Sequence, residues 1–366
     1  MPTIRISSSA GAYDVHCAFG SLRRAGSLLS RLKDVTGVYI LASPTVWSYC
    51  GRSVMRALAR HKPLKIILFD DSESSKDLQT IEALTRQLVL AGADRRAVII
   101  SVGGGVVGDV AGFAAASYLR GVRLIHIPTT LVAQVDSSIG GKTGVNLTEG
   151  KNLVGAFYPP KLVVTDPEML LTLPHREYRS GLYEVIKYAL IADLQLFTFL
   201  ERRMLALLRR DADALAWVIA RSIRIKADVV AHDEREGGLR EILNFGHTLG
   251  HALEAATRYR RFRHGEAIAW GMIYATLLAV ATDRFEEADA TRFIRLIASV
   301  GPLPRLSGIR ASQLRSILAG DKKSRGGKIR WVLPRRIGKV EWGVELPWTL
   351  VSRTFAALPP FAGTSN

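Results

Sequence analysis

Three histidines and a glutamate are the residues whose types and spacing most directly suggest chemistry. His247 and His251 are four residues apart, so one face of a helix would carry both imidazoles with their Cβ atoms roughly 5 to 6 Å apart. His264 follows thirteen residues later, and Glu184 is a carboxylate among apolar neighbours, where an unpaired charge is costly. A catalytic zinc commonly takes three protein ligands, so these residues are candidate ligands. Spacing alone does not choose between His251 and His264, although the helical pair is the simpler choice, and core histidines hydrogen-bonded to carboxylates are the structural alternative.

A glycine-rich turn, Gly103–Asp109, is the second feature. The apolar run 97–102 precedes it and a helix-like segment from Val110 follows it, which predicts the order strand, turn, helix. Backbone N–H groups and the positive end of a helix then face outward together, which suits a phosphate. Three of the glycines have the G-x-G-x-x-G spacing of a dinucleotide loop, and an ordinary turn is the alternative. The acidic residue of ordinary dehydrogenases, about twenty positions on, is replaced by the stretch Arg123–His126.

A third cluster contains Gly140-Gly141-Lys142-Thr143, which resembles the end of a P-loop. Asp136 stands where that motif requires glycine, so the sequence disfavours a P-loop ATPase or kinase. Lys142 and Lys151 each lie in a glycine-rich stretch of low charge, which favours phosphate binding over an ordinary surface position.

The elements that must position these residues differ between the two halves of the chain. Residues 1 to about 165 alternate strand-like and helix-like segments, which predicts a mostly parallel sheet with helices on both faces. The predicted strands include 38–41, 65–69 and 97–102, and the predicted helices include 43–61 and 75–91. From about 176 to 320 apolar residues recur at helical spacing, and a short hairpin is predicted over 328–342. We therefore expect an α/β Rossmann-like domain over 1–170 and a mainly α-helical domain over 171–366.

Composition describes an ordinary globular chain. Its 366 residues are enough for two domains, and 48% are hydrophobic while 23% are charged. No apolar run reaches the roughly 18 to 20 residues that span a bilayer, so no membrane partner is expected. The N-terminal residues lack the pattern of a signal peptide, and Cys17 and Cys50 are too few for a disulfide framework or a thiolate metal site. These features favour the cytoplasm.

A formal net charge of +17 raises the alternative of nucleic-acid binding. The basic residues are scattered, however, and their densest clusters are short and match no zinc-finger or RNA-binding signature. We expect a basic surface that helps to gather anionic small molecules, and no nucleic-acid partner.

Taken together, the motifs resemble those of the 3-dehydroquinate synthases, which are sugar phosphate cyclases. The resemblance runs from about residue 38 to 345. It rests on motifs in the order and spacing of that family: Gly103–Asp109, Pro128–Thr130, Val135–Ser138, Gly140–Thr143, Gly150–Asn152, Glu184–Lys187, Asn244–His247 and His264–Glu266.

The resemblance implies NAD on the first domain, one zinc or cobalt ion on the second, and an active site in the cleft between them, with the nicotinamide over the metal. The implied metal ligands are Glu184, His247 and His264, which makes His251 a substrate-contacting or proton-relaying residue. The implied cofactor residues are Asp71, Glu73, Lys76, Gly105, Val106, Val107, Gly108, Asp109, Thr129, Thr130, Lys142, Lys151, Met169, Leu170, Leu171 and Thr172. The implied catalytic and substrate residues are Asp136, Lys142, Asn152, Lys187, Lys226, Arg240, Asn244, His251 and Lys322 or Lys323, with Arg120 reaching the phosphate across a homodimer interface.

The implied reaction converts 3-deoxy-D-arabino-heptulosonate 7-phosphate into 3-dehydroquinate and phosphate in the shikimate pathway. It proceeds through transient oxidation by NAD, phosphate elimination, re-reduction and intramolecular aldol closure. Another cyclase of the 2-epi-5-epi-valiolone or 2-deoxy-scyllo-inosose synthase type is the nearest alternative, and a metal- and NAD-dependent alcohol dehydrogenase is a further one. Retention of Arg240, Asn244 and the pair Lys322-Lys323 argues against a substrate without a carboxylate. Two departures concern NAD: Ser72 replaces a usual glycine, and Ser43 stands near a usual acidic residue.

Overall fold

The computed structural model describes residues 3–9, 11–319 and 329–358. Two compact units divide the chain, one formed by Met1–Pro174 with Leu215–Glu234, and the other by His175–Ala214 with Arg235–Asn366. Lys322 and Lys323, expected at the substrate site, lie outside the described residues. Within the described ranges, no helix combines the length and the apolar character needed to cross a membrane.

The first unit is built on a seven-stranded sheet in the order β1-β2-β9-β6-β5-β3-β4. Its neighbouring strands are parallel except for the antiparallel pair β1–β2. A separate hairpin, β7–β8, was not predicted. The strands are β1 (Thr3–Ser8), β2 (Gly11–Cys17), β3 (Val38–Ala42), β4 (Leu64–Leu68), β5 (Val98–Gly103), β6 (Arg123–Pro128), β7 (Lys142–Leu147), β8 (Gly150–Phe157) and β9 (Leu162–Thr165). Every residue of β3 and β5 is buried, as expected where helices cover both faces of a parallel sheet.

Helices of the first unit pack against the sheet through two apolar clusters. They are α1 (Ala25–Leu29), α2 (Pro44–Leu58), α3 (Leu78–Leu90) and α4 (Gly105–Ser117). Helix α4 begins at Gly105, five residues before the predicted start at Val110, because the glycine turn itself forms the first helical turn. The predicted mostly parallel sheet is confirmed.

The second unit is mainly helical, as predicted. Its elements are α5 (His175–Ala192), α6 (Leu194–Leu208), α8 (His247–Ala256), α9 (His264–Val280), α10 (Glu287–Val300), α11 (Ala311–Ala319), β10 (Arg330–Arg336), β11 (Lys339–Glu345) and α12 (Trp348–Ala356). Strands β10 and β11 pair antiparallel as the predicted hairpin. Helix α7 (Ala212–His232) contributes most of its length to the first unit.

Glycines let three helices of the second unit approach at backbone distance. A Cβ atom at Gly265 in α9 would collide with the carbonyl oxygen of Ser180 in α5. A Cβ atom at Gly271 would likewise collide with the carbonyl oxygen of Gly246, which precedes α8. Helix α9 is therefore held between α5 and α8 without intervening side chains at these crossings.

Candidate active site

A group of three possible metal ligands lies where α5, α8 and α9 approach. One ligand atom each from Glu184, His247 and His264 lies within 4.8 Å of the other two. Oε1 of Glu184 is 3.7 Å from Nε2 of His247 and 3.7 Å from Nε2 of His264. Nδ1 of His247 lies 3.1 Å from the carbonyl oxygen of Phe245, a contact that fixes the ring and leaves Nε2 toward the group. One carboxylate and two imidazoles form a ligand set that zinc commonly takes.

Glu184 is a buried carboxylate that a bound cation would stabilise. Its side chain is 1% exposed, and neither carboxylate oxygen has a hydrogen-bond partner among the described residues. Nζ of Lys187, also 1% exposed, lies 2.5 Å from Oε2 as an ion pair, outside hydrogen-bond geometry. Because a buried carboxylate without hydrogen bonds is costly, a cation beside Oε1 would stabilise it. The residues present therefore fit a divalent metal.

A second possible group shares His264 and consists of His251, Glu254 and His264. Oε2 of Glu254, which is buried, lies 3.4 Å from Nδ1 of His264. The ring of His251 lies with its centroid 5.3 Å from that of His247 and 6.0 Å from that of His264. His251 thus lies beside His247 and His264, and Glu254 is a neighbour that no sequence motif identified.

The glycine turn forms the start of α4 in the first unit. Gly104 is the N-cap residue of α4 and has no side chain, so no N-cap side chain occupies the N-terminal N–H groups of this helix. A Cβ atom at Gly103 would lie 2.5 Å from Cγ2 of Val107, which makes glycine necessary there. The side chain of Val107 is fully buried, so its contact with a ligand would be through the backbone. This cradle fits the pyrophosphate of a dinucleotide.

Other expected cofactor residues lie in that turn, directly after β6, and in a short helical stretch later in the chain. Gly105, Val106, Gly108 and Asp109 are partly exposed in the first turns of α4. Thr129 donates its backbone N–H to the carbonyl of Gly103 at 2.9 Å, immediately after β6. Thr130, the next residue, accepts a hydrogen bond on Oγ1 from the backbone of Ala133 at 3.2 Å. Met169, Leu170, Leu171 and Thr172 belong to a single helical stretch, Pro167–Thr172, in which the Leu170 side chain is buried.

Lys76 connects several of these residues. Its Nζ lies 2.5 Å from Oδ2 of Asp109 and 2.5 Å from Oδ1 of Asn152. Glu73 forms an ion pair with Lys151 at 3.4 Å and accepts a hydrogen bond from Nδ2 of Asn146 at 2.9 Å. Asp71 is partly exposed just before this segment. Asn146 also belongs to this network, although no sequence motif identified it.

Among the expected substrate residues of the first unit, Asp136 and Lys226 meet. Nζ of Lys226 donates to both the backbone oxygen and Oδ1 of Asp136 at 2.8 Å. Lys142 opens β7 and is exposed. Arg120 is exposed at the end of the helical segment after α4, with a left-handed φ of 65°.

The expected substrate residues of the second unit are differently placed. Arg240 is 1% exposed in the short helical segment Leu239–Asn244. Nδ2 of Asn244, at the end of the same segment, donates to Oε1 of Glu236 at 3.0 Å. Glu236 was not identified from the sequence, since it lies in no motif and reaches Asn244 through a turn.

The two departures from the family pattern have simple structural explanations. Ser72 has a φ of −67°, which any residue adopts, and its Oγ donates to Oδ2 of Asp70 at 2.7 Å. Ser43 caps α2, since its Oγ accepts from the backbone N–H of Val46 at 3.3 Å. Neither serine strains the fold.

His126 stands near the position of the acidic residue that ordinary dehydrogenases use. It lies in β6, 5% exposed, and its Nδ1 is 2.6 Å from Oγ of Ser101 in β5. Burial lowers the pKa of His126 to about 4, so its ring is neutral at pH 7. Its place in the sheet interior makes it a core residue.

Comparisons with known proteins agree along most of the chain. Residues 66–180 match the 3-dehydroquinate synthase N-terminal family model, and residues 181–324 match the C-terminal one. A 3-dehydroquinate synthase of Solibacter usitatus is 47% identical over 88% of this chain and 91% of its own length. Another from Koribacter versatilis is 45% identical over 94% of this chain and 95% of its own length.

Solved structures of related cyclases share the fold. A 2-epi-5-epi-valiolone synthase from Streptomyces hygroscopicus with NAD⁺ and Zn²⁺ bound is 30% identical, with a TM-score of 0.86 over 94% of this chain and 96% of that one. A 2-deoxy-scyllo-inosose synthase complexed with carbaglucose-6-phosphate, NAD⁺ and Co²⁺ is 27% identical, with a TM-score of 0.82 over 97% and 99%. Because both domain models match in order and the named relatives cover nearly the whole chain, this protein belongs to the 3-dehydroquinate synthase family.

Proposed function

We propose that this protein is a 3-dehydroquinate synthase, a lyase that converts 3-deoxy-D-arabino-heptulosonate 7-phosphate into 3-dehydroquinate and phosphate. The observation that carries the proposal is the group formed by Glu184, His247 and His264, whose ligand atoms converge within 4.8 Å. The identity of 47% to a relative named for this activity supports the same substrate.

Zinc or cobalt would be held by Glu184, His247 and His264. When bound, the ion supplies Lewis-acid polarisation of a substrate oxygen. Lys187 lies 2.5 Å from the other oxygen of Glu184 and forms an ion pair with that carboxylate. His251 lies beside His247 and His264, and its imidazole would move the proton of the substrate hydroxyl.

NAD would be held by the first unit. The uncapped start of α4 and the glycines before it accommodate the pyrophosphate, and Thr129 and Thr130 follow the adjacent strand β6. NAD supplies reversible hydride acceptance and is regenerated in each turnover. The proposed cofactor set is completed by Asp71, Glu73, Lys76, Lys142, Lys151 and the segment 169–172.

The substrate has a phosphate and a carboxylate, and this chain offers cations for both. Lys142, Asn152 and Arg120 would bind the phosphate, and Arg240 with Lys226 or Lys322 would hold the carboxylate by charge-assisted hydrogen bonds. Asp136 keeps Nζ of Lys226 in place at 2.8 Å. These contacts would fix one conformer of a flexible substrate, and the leaving phosphate would itself collect the adjacent proton.

The same proposal includes a homodimer in the cytoplasm. Arg120 is exposed and follows the end of α4, where a side chain is available to a second copy. A homodimer would let this guanidinium serve the partner's substrate phosphate.

Turnover by the purified protein, loaded with zinc or cobalt and with NAD, tests the proposal. We expect phosphate release from the heptulosonate phosphate, 3-dehydroquinate by mass spectrometry and NMR, and no net NADH. Absence of phosphate release would overturn it. Turnover only of sugar phosphates without a carboxylate would identify another cyclase, and accumulation of NADH would identify a dehydrogenase.

A further inference from the structure

Lys76 is a buried lysine that joins two functional segments of the first unit. It is 4% exposed, and its Nζ contacts Asp109 in α4 on one side and Asn152 in β8 on the other, each at 2.5 Å. Asp109 balances the buried ammonium charge, while Asn152 is neutral and exposed. The lysine therefore links the cofactor helix to the β7–β8 hairpin.

The backbone of the hairpin is held at the same place. Asn152 has a left-handed φ of 53°, a conformation that asparagine tolerates better than most residues. Its backbone N–H donates to Oδ1 of Asn146 at 2.9 Å, and the backbone N–H of Asn146 donates to the carbonyl of Lys76 at 2.7 Å. Both the main chain and the side chain of Asn152 are thus fixed relative to Lys76.

The contact with Lys76 determines the orientation of the Asn152 side-chain amide. An ammonium has only donors, so the atom it meets must be the oxygen of the amide. If the amide were turned over, an NH₂ group would face Nζ at 2.5 Å and both groups would be donors. Oδ1 therefore faces the lysine, and Nδ2, with its two N–H donors, lies at the other end of the group.

We infer that Lys76 is a positioning residue for substrate binding, which holds the Asn152 amide so that its NH₂ group is presented to the substrate phosphate. An N–H donor is the group that a phosphate oxygen accepts from, whereas the amide oxygen would repel it. The inference rests on the proposed function for the identity of the substrate, and it gives Lys76 a role beyond cofactor binding.

A double-mutant cycle tests this coupling. We would measure kcat and KM for the heptulosonate phosphate at saturating NAD and metal, for Lys76→Met, Asn152→Ala and the double variant, together with the dissociation constant for NAD. Because a charge-assisted hydrogen bond contributes about 1.5 to 3 kcal/mol, each single variant should raise KM about 10- to 100-fold. The double variant should be little worse than either, because both changes remove the same contact. Fold-changes that multiply, or a Lys76→Met variant that weakens NAD alone, would overturn the inference.

Lys151→Met is the matched control, since it removes a neighbouring positive charge and leaves Lys76 itself in place. It should weaken NAD binding, and its effect on KM should multiply with that of Asn152→Ala. A Lys151→Met variant that shows the same non-additivity as Lys76→Met would count against the specific role of Lys76.

Asn152→Asp separates the positioning role from folding. It keeps an oxygen for Lys76, so the network stays intact, but it removes the NH₂ group. We expect normal thermal unfolding and a loss of inorganic phosphate binding in calorimetry; retained phosphate affinity would refute the inference. If the wild-type protein does not turn over the heptulosonate phosphate, the proposed function fails, while the phosphate titrations of the wild type and the variants still decide the role of Lys76.

Discussion

Nδ1 of His264 lies 3.4 Å from Oε2 of Glu254, on the opposite side of the ring from Glu184. Glu254 is only 5% exposed, so its carboxylate faces the histidine rather than water. In metal sites, such a carboxylate orients the imidazole and raises its basicity. The arrangement makes Glu254 the outer partner of His264, a proposed metal ligand.

Replacing Glu254 with glutamine should lower the affinity for cobalt about 10- to 100-fold, because the outer carboxylate no longer orients His264. A spectroscopic titration of the metal-free protein with Co²⁺ measures this directly. Glu287→Gln, an exposed change in α10, is the matched control and should leave the titration unchanged. Equal affinities for both variants would show that Glu254 plays no part at the metal.

His264→Ala and His247→Ala should each abolish stoichiometric metal binding, since each removes one of the three proposed protein ligands. His251→Ala should keep the metal and lose turnover, because this residue borders the ligands without belonging to the group with Glu184. Metal content after dialysis, measured by mass spectrometry, distinguishes the two behaviours. If only His251→Ala loses the metal, the ligand assignment is wrong.

Gly271→Ala should destabilise the protein by about 1 to 3 kcal/mol, because the added methyl group collides with the carbonyl oxygen of Gly246. Since Gly246 directly precedes His247, metal affinity should fall as well. Urea unfolding and cobalt titration report the two effects separately. Gly150→Ala is the control, because its Cβ would lie 3.4 Å from the nearest atom, a side-chain carbon of Leu153. Similar losses in both variants would contradict the steric explanation.

His126 should make the protein less stable in mild acid. Burial lowers the pKa of His126 from 6.5 to about 4. Between these two pH values, His126 is therefore mostly protonated in the unfolded state and mostly neutral in the folded state. Stability from this group is present above pH 6.5 and is lost as the pH falls toward 4. The loss between pH 7 and pH 5 is about 2 kcal/mol for a shift of this size.

His126→Gln lacks this titration, so the free energy of unfolding of the wild type minus that of the variant should fall by about 2 kcal/mol between pH 7 and pH 5. Urea unfolding at the two pH values measures the difference, in which the other titrating groups cancel. A difference that stays constant with pH would refute the assignment of the acid sensitivity to His126.

Much of the fold could be predicted because its elements carry local patterns. The fully buried strand β3 was expected at 38–41 and is observed at Val38–Ala42, and the helix expected at 75–91 is observed as α3 at Leu78–Leu90. Helix α4 was placed too late because glycines disfavour helices on propensity alone, whereas here the turn is part of the helix. The β7–β8 hairpin was missed because its glycines and polar residues resemble a loop.

The ligand group shows where spacing stops being informative. Helical spacing does bring the rings of His247 and His251 within 5.3 Å, but a metal site is decided by which side chains meet across different helices. Glu184 meets His247 and His264 through the packing of α5, α8 and α9, which no local pattern encodes. The resemblance supplied that choice. No sequence motif identified Asn146, Glu236 or Glu254. Each of them contacts an expected site residue and belongs to no motif itself.

The close approach at Gly265 and Gly271 has a consequence for how this protein tolerates sequence change. Because main chain meets main chain at these crossings, the spacing of α9 from α5 and from the start of α8 does not depend on the size of the surrounding aliphatic side chains. We therefore expect substitutions among apolar residues of similar volume in the helical unit to leave the relative positions of Glu184, His247 and His264 unchanged.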